Sequence, residues 1–192
     1  MKKLFLLALP VCMFMTVTSC GPSEAEKKQQ DSLVAVHTKD SMRTVIDNAE
    51  KALKSNKAYG ANEVNACIKA YTDFTNKYPA DTMTPEYLMR ASTKFSIIGN
   101  YSQSVAMLEL IYDQHKEFKR YDEALFMGAN IYATYLPTVN HGDDRAKELY
   151  NFLITKYPGT DLAKQSEILI KYIGVPADSL YNDIERNNKT QK

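Results

Sequence analysis

Two copies of one phrase, Tyr-x2-apolar-x2-Lys-Tyr-Pro, constrain the fold of this chain more than any other feature of its sequence. The copies are AYTDFTNKYPA at residues 70–80 and LYNFLITKYPG at residues 149–159. They begin 79 residues apart, which is too far for one repeat of about 34 residues and fits two repeats with insertions. A middle copy is therefore expected, and residues 104–116, SVAMLELIYDQHK, match it.

Apolar residues recur at helical spacing through the whole body of the chain. No alternating strand pattern lasts four residues, so the sequence predicts an all-α fold. Asp31 or Ser32 is the predicted N-cap of the first helix, and Thr84 followed by Pro85 predicts the start of the third. The predicted helices cover about residues 31–53, 62–78, 85–99, 101–116, 121–136, 143–157, 160–174 and 176–186.

Small residues occur at matching places in the predicted helices, and larger apolar residues flank them. This pattern is typical of helices that approach each other closely. Cys67, Ser104 and Ala146 hold these places in the second helices of the repeats, and Ala91, Gly128 and Ser166 hold them in the first helices. A single helix pair would leave an apolar face exposed, so neighbouring pairs are expected to stack.

The spacing of these residues resembles the tetratricopeptide repeat, best over residues 61–174. One unit has Leu88, Ala91, Ser92, Phe95, Gly99-Asn100-Tyr101, Ser104, Leu108 and Ile111, the next has Ala124, Met127, Gly128, Ile131, Ala146, Tyr150, Leu153 and Pro158, and a third begins with Ala163, Ser166, Ile170 and Gly174. The connection LPTVNHGDD exceeds the consensus by about six residues. The resemblance implies a right-handed superhelix of antiparallel helix pairs, with about three to four units; a generic helical bundle is the alternative.

The N-terminal segment MKKLFLLALPVCMFMTVTSC has the pattern of a secretory signal. Its apolar run, Leu4 to Val17, is too short to span a bilayer core of about 30 Å. Its end, Val17-Thr18-Ser19-Cys20, resembles the bacterial lipobox, which implies that Cys20 is acylated; an ordinary signal peptide is the alternative. The expected organisation is a signal peptide at residues 1–19, an acylated flexible tether at 20–30, a tetratricopeptide-like domain at 31–187 and a disordered tail at 188–192.

No catalytic or cofactor-binding motif is found in the sequence, and we predict that the chain is not an enzyme and needs no cofactor or metal. The net charge is +1, or −1 without the leader and its two lysines, so no strong field attracts nucleic acid. His37, His115 and His141 are isolated, with His115 suited to a helix C-terminus, and NHGDD is interpreted as a turn and N-cap. Cys67 is interpreted as a packing residue, as are most of the tyrosines.

The combination of lipobox and repeats resembles small tetratricopeptide lipoproteins of bacterial envelopes, including the outer-membrane assembly and Tol-Pal-associated types. This implies an adaptor or scaffold in the cell envelope, anchored to a membrane through acyl chains on Cys20, with an envelope protein or peptide as partner and no nucleic acid. An outer-membrane site facing the periplasm is expected, and surface display stays open. The alternatives are an enzyme or regulatory subunit that acts on cell-wall polymer, and a self-assembling structural lipoprotein.

The resemblance places the partner on the concave face, which is lined by residues of the first helix of each unit. The Lys/Asn clamp that grips a carboxylate in chaperone-binding relatives is missing, since Thr93 and Phe126 or Ala129 stand at the Asn positions. Shape and apolar contact are therefore expected to hold the partner. The predicted face consists of Glu86, Met89, Thr93, Ser96, Asp122, Leu125, Ala129, Tyr132, Lys164, Ile168 and Lys171.

Overall fold

The computed structural model describes residues 23–55 and 60–175 of the 192-residue chain. The chain divides into two compact units, of which the first ends at Thr38 and the second begins at Lys39. The predicted signal peptide, the predicted acylation site Cys20, the last predicted helix at 176–186 and the predicted tail at 188–192 lie outside the described residues.

The described residues form helices and no strand, so the predicted all-α class is confirmed. Short 3-10 turns at Val139–His141 and Ile170–Tyr172 precede α6 and follow α7. The seven α-helices of the described part are α1 (Glu24–Ser55), α2 (Ala61–Lys77), α3 (Thr84–Ile97), α4 (Tyr101–Gln114), α5 (Tyr121–Tyr135), α6 (Gly142–Lys156) and α7 (Asp161–Leu169).

The first helix begins earlier than the sequence predicts. α1 starts at Glu24, so residues 24–30, predicted as a flexible tether, are helical, and neither Asp31 nor Ser32 is an N-cap. This stretch consists of Glu, Ala, Lys and Gln, which favour a helix because they lose little side-chain freedom in it. The prediction depended on apolar periodicity, which reports a buried face rather than helical propensity.

The start of α3 also differs by one residue from the prediction. Thr84 is the first residue of the helix rather than its N-cap, and Pro85 is the second. The Asp81 carboxylate accepts a hydrogen bond from the Met83 backbone N–H at 2.8 Å. The Thr84 hydroxyl donates to the Tyr78 carbonyl at 2.5 Å, so it ties the helix start to the end of α2.

The turn between α3 and α4 has the Gly-x-Tyr pattern, and the structure gives its physical reason. Gly99 has φ 74°, a left-handed conformation that favours glycine. The Asn100 N–H then donates to the Phe95 carbonyl at 2.9 Å and closes the end of α3. The Asn100 side chain accepts from the Gln103 N–H at 3.2 Å and caps the start of α4.

Within the compact unit that begins at Lys39, each helix from α2 to α6 packs against the next helix in the chain, and α5 also contacts α7. One apolar cluster joins α1, α2 and α3 through Ile46, Leu53, Phe74 and neighbouring residues. A second cluster, which includes Leu108 and Leu153, fills the space between later helices. All six predicted close-approach residues are buried, namely Cys67, Ala91, Ser104, Gly128, Ala146 and Ser166.

Candidate interaction groove

Four charged side chains from α1, α3 and the start of α5 form a continuous chain of ion pairs, which we call the ion-pair ladder. Arg90 Nη1 donates to Glu50 Oε1 at 2.7 Å, and Arg90 Nε donates to Glu86 Oε1 at 3.0 Å. Arg120 Nη1 donates to Glu86 Oε2 at 3.1 Å. The ladder therefore ties together α1, α3 and the N-terminal end of α5.

The long-range ion pairs of the ladder join helices that are two apart in chain order. Arg90 and Glu50 are separated by 40 residues, and Arg120 and Glu86 by 34. A third pair links α4 to α6, since Arg145 Nη2 donates to Glu109 Oε2 at 2.6 Å across 36 residues. These side chains therefore bridge helices that are not consecutive in the chain.

The ladder carboxylates are stabilised in their charged form. Burial raises the pKa of Glu50, but hydrogen bonds from Tyr71 and Arg90 outweigh it and the pKa is lowered overall. The pKa of Glu86 is lowered in the same way, because hydrogen bonds and charge from Arg90 and Arg120 outweigh its burial. Both side chains are therefore ionised at neutral pH, which holds the guanidinium groups in fixed positions.

Two clefts open along the ladder and share Arg90 and Thr93, so together they form one surface, which we call the groove. The α1–α3 cleft has a volume of about 350 Å³, and the α3–α5 cleft has a volume of about 420 Å³. The lining of the first is Glu50, Leu53, Lys54, Tyr71, Arg90, Thr93 and Lys94, and that of the second is Met89, Arg90, Thr93, Arg120, Glu123, Phe126, Met127 and Leu162.

A larger depression of about 710 Å³ lies beside the ladder, between the α2–α3 and α4–α5 connections. His115, which caps the end of α4, contributes to its lining. Desolvation lowers the pKa of His115, so burial favours the neutral imidazole. His115 lies at the C-terminal end of α4, as the sequence predicts, and its burial opposes the charged form that would suit the helix dipole.

The groove contains some of the residues that the sequence assigns to the partner-binding face. Met89 forms part of its floor and Thr93 is exposed at the junction of the two clefts. Glu86 lies in the ladder and borders the larger depression instead. Lys164, Ile168 and Lys171 are exposed on α7 and the following turn, outside the lining of both clefts.

The predicted face is displaced on α5. Leu125 is 2% exposed and Ala129 is fully buried, so neither is available to a partner. The Tyr132 hydroxyl donates to Glu109 Oε1 at 3.1 Å, which directs this side chain toward α4. The α5 residues that line the groove are Glu123, Phe126 and Met127, about one helical position away from the predicted set, since successive residues differ by about 100° around the axis.

The other predicted positions on the first helices are also engaged. The Ser96 hydroxyl lies 2.9 Å from that of Ser104 and so contacts α4. Asp122 is partly exposed, and its Oδ1 accepts a hydrogen bond from the Glu123 backbone N–H at 2.9 Å. These side chains stabilise local structure and do not line the clefts.

Sequence reasoning missed the cations that dominate the groove, which are Lys54, Arg90, Lys94 and Arg120. One signal for them was present: Glu86 and Arg90 lie four residues apart and therefore share a helix face. The pairing of Arg120 with the same carboxylate required the packing of two helices.

Cys67 has the character of a packing residue. Its side chain is fully buried, and desolvation raises the pKa of its thiol, which disfavours the reactive thiolate. Within residues 23–55 and 60–175 no three His, Cys, Asp or Glu side chains are grouped to hold a metal ion. None of the helices in this part of the chain is long and apolar enough to cross a membrane.

The long connection before α6 forms a structured turn. Asn140 and His141 both have positive φ, and Gly142 packs so close to the Leu136 carbonyl that a Cβ would lie 1.8 Å from its oxygen. Asp143 and Asp144 lie in the first turn of α6, where carboxylates suit the helix dipole. The N-cap is His141, without a side-chain hydrogen bond, so the predicted N-cap role of the NHGDD segment is taken by its histidine.

No family model matches the chain, and neither a curated protein nor a solved structure gives a significant match to it.

Proposed function

We propose that this chain is a lipid-anchored adaptor of the bacterial cell envelope, built as a tetratricopeptide-like superhelix that holds a segment of another envelope protein in its groove. The observation that carries the proposal is the open groove along α1, α3 and α5, three alternate helices tied together by the ion-pair ladder. The separations of 34, 36 and 40 residues between the paired charges support stacked repeat units.

The chemistry of the groove favours binding over catalysis. Its charged groups are guanidinium, ammonium and paired carboxylates, and its apolar part is formed by Met89, Phe126, Met127 and Leu162. Methionine-rich surfaces adapt to different apolar side chains because the thioether chain is flexible. An apolar cleft with charged edges is suited to an extended peptide.

The anchor is the second part of the proposal and depends on the lipobox-like end of the leader. Acylation of Cys20 with two or more chains would hold the adaptor stably at a membrane, whereas one chain would not. Metabolic labelling with a fatty-acid analogue in a Gram-negative host tests this. We expect label on the wild type and none on Cys20→Ala; label that persists on the variant would contradict the anchor.

In-cell photocrosslinking tests the adaptor function. A photoreactive residue at Thr93, exposed within the groove, is expected to capture a discrete envelope protein. The matched control is the same residue at Gln103, which is exposed on α4 and outside both clefts. Equal capture from both positions, or none from Thr93, would contradict the assignment of the groove.

Self-assembly is a second candidate function, and one observation favours it. Leu33 and Val36, in the part of α1 that belongs to the first unit, are 57% and 55% exposed. Light scattering on a soluble form that begins at Gly21 measures the oligomeric state. Self-assembly through α1 predicts a concentration-dependent oligomer that Leu33→Glu converts to monomer, and a wild-type monomer would contradict it.

A further inference from the structure

The two clefts of the groove differ in chemistry, although they are continuous. The α1–α3 cleft has three cations, Lys54, Arg90 and Lys94, and one carboxylate, Glu50. The α3–α5 cleft has four large apolar side chains in addition to its charges, and two of them are Phe126 and Leu162. A ligand that covers both clefts therefore meets a cationic half and an apolar half.

Arg90 lies at the junction and keeps unused hydrogen-bond donors. Its Nη1 donates to Glu50 and its Nε to Glu86, and its Nη2 makes no hydrogen bond within the described residues. The Arg90 side chain is 39% exposed, so a partner can approach it from solvent. Because two carboxylates hold the guanidinium, the free donors are already oriented and little conformational freedom is lost on binding.

The cations exceed the carboxylates along the groove. The lining of the two clefts contains four cations, Lys54, Arg90, Lys94 and Arg120, and two carboxylates, Glu50 and Glu123, and a third carboxylate, Glu86, pairs with both arginines. Lys54 is 80% exposed and lies 4.0 Å from Glu50, so its ammonium group stays accessible to a second carboxylate. This local excess of positive charge contrasts with the nearly neutral chain and is complementary to an acidic ligand.

We propose that the groove binds an extended peptide segment in which an acidic residue stands next to large apolar residues. The acidic side chain pairs with Lys54, Lys94 and the free nitrogen of Arg90, and the apolar side chains enter the cleft floored by Met89. This inference rests on the proposed adaptor function and names the chemistry of the partner segment. The partner is proposed to be a short extended segment, and not a flat protein surface, because the clefts are already open in the structure.

Fluorescence anisotropy with defined peptides tests the inference on the soluble form of the chain that begins at Gly21. The probes are fluorescein-labelled octapeptides that carry an Asp-Asp pair beside a Leu-Phe pair, in both orders. Their comparison peptides carry Asn-Asn in place of Asp-Asp, or Ser-Ser in place of Leu-Phe. We expect at least one order of the parent to bind about tenfold tighter than either comparison peptide, and this preference to weaken with salt.

Variants locate the site. Lys54→Glu/Lys94→Glu is expected to weaken parent binding about tenfold or more and to leave the Asn-Asn peptide unaffected. The control is Lys116→Glu/Lys119→Glu, two lysines of the larger depression outside both clefts, which is expected to bind as the wild type. Lys54, Lys116 and Lys119 are exposed and Lys94 is partly exposed, and circular dichroism checks that each variant is folded.

Three results would overturn the inference. They are equal binding of the parent and Asn-Asn peptides, unchanged binding by the Lys54→Glu/Lys94→Glu variant, and no binding of any parent peptide at about 1 mM, a concentration at which even weak binding is detected. The adaptor function is separable from this inference. If the Thr93 photoprobe captures an envelope protein and Lys54→Glu/Lys94→Glu does not reduce that capture, the adaptor function stands and the acidic-segment proposal fails.

Discussion

The close contact between α4 and α5 at Gly128 leads to the sharpest prediction. A Cβ at residue 128 would lie 2.0 Å from Tyr112 Oη and 3.2 Å from Tyr112 Cζ. The same hydroxyl donates a hydrogen bond to the Ala124 carbonyl at 2.8 Å in a buried position. Gly128→Ala therefore forces the tyrosine hydroxyl to move and breaks this hydrogen bond.

The expected cost follows from three contributions. Overpacking a core by one methyl group costs about 1–3 kcal/mol, and a buried hydrogen bond left unmade costs about 1–3 kcal/mol. Alanine favours a helix over glycine by about 1 kcal/mol, which offsets part of this cost. We expect Gly128→Ala to lower the free energy of unfolding by about 3 kcal/mol.

Tyr112→Phe provides the matched background, because it removes the oxygen that the new methyl group would meet. In this background Gly128→Ala is expected to change the free energy of unfolding by less than about 1 kcal/mol, so the two substitutions are coupled by about 2 kcal/mol. Urea unfolding of the four proteins, followed by far-UV circular dichroism, measures both values. An equal cost of Gly128→Ala in both backgrounds would refute the reasoning.

Four further predictions concern the turn, the core and the pH dependence. Gly99→Ala should cost about 1 kcal/mol through its positive φ alone, since a Cβ there meets no atom within 4 Å; a cost above about 3 kcal/mol in urea unfolding would contradict this. Leu125→Asp should abolish cooperative unfolding, because it places a carboxylate in the core. The control Thr93→Asp, at an exposed position, should unfold cooperatively. A Leu125→Asp variant that folds well would contradict the burial of Leu125. The pKa of Glu86 is lowered from 4.5, so its contribution to stability is present above pH 4.5 and is lost as the pH falls through the folded-state pKa. Glu86→Gln should therefore reduce the loss of stability in acid, measured as the urea midpoint at several pH values. An unchanged pH dependence would contradict the role of the ladder. The pKa of His115 is lowered from 6.5, so the free energy of unfolding also falls as the pH drops below 6.5, because the unfolded state then binds the proton more readily. His115→Gln should remove this contribution to the pH dependence.

Much of the fold was predictable because helix boundaries depend on local features. Pro79 lies directly after the predicted helix at 62–78 and Gly99 ends the predicted helix at 85–99, and the corresponding ends of α2 and α3 fall within two residues of them. The start of α1 was missed because helical propensity extends beyond the apolar pattern, to Glu24. The predicted face differs from the groove on α5 because the helix is rotated by about one residue relative to the prediction, so that Leu125 lies in the core.

The sequence by itself determined the helical class, the breaks between helices and the small residues where helices meet, since each depends on periodicity and on the backbone preferences of Gly and Pro. Only the tertiary structure decided the groove. Its ladder joins Glu50 to Arg90 and Glu86 to Arg120, charges 40 and 34 residues apart. Such pairs form only where packing brings alternate helices within the reach of a side chain, and no local pattern encodes that distance.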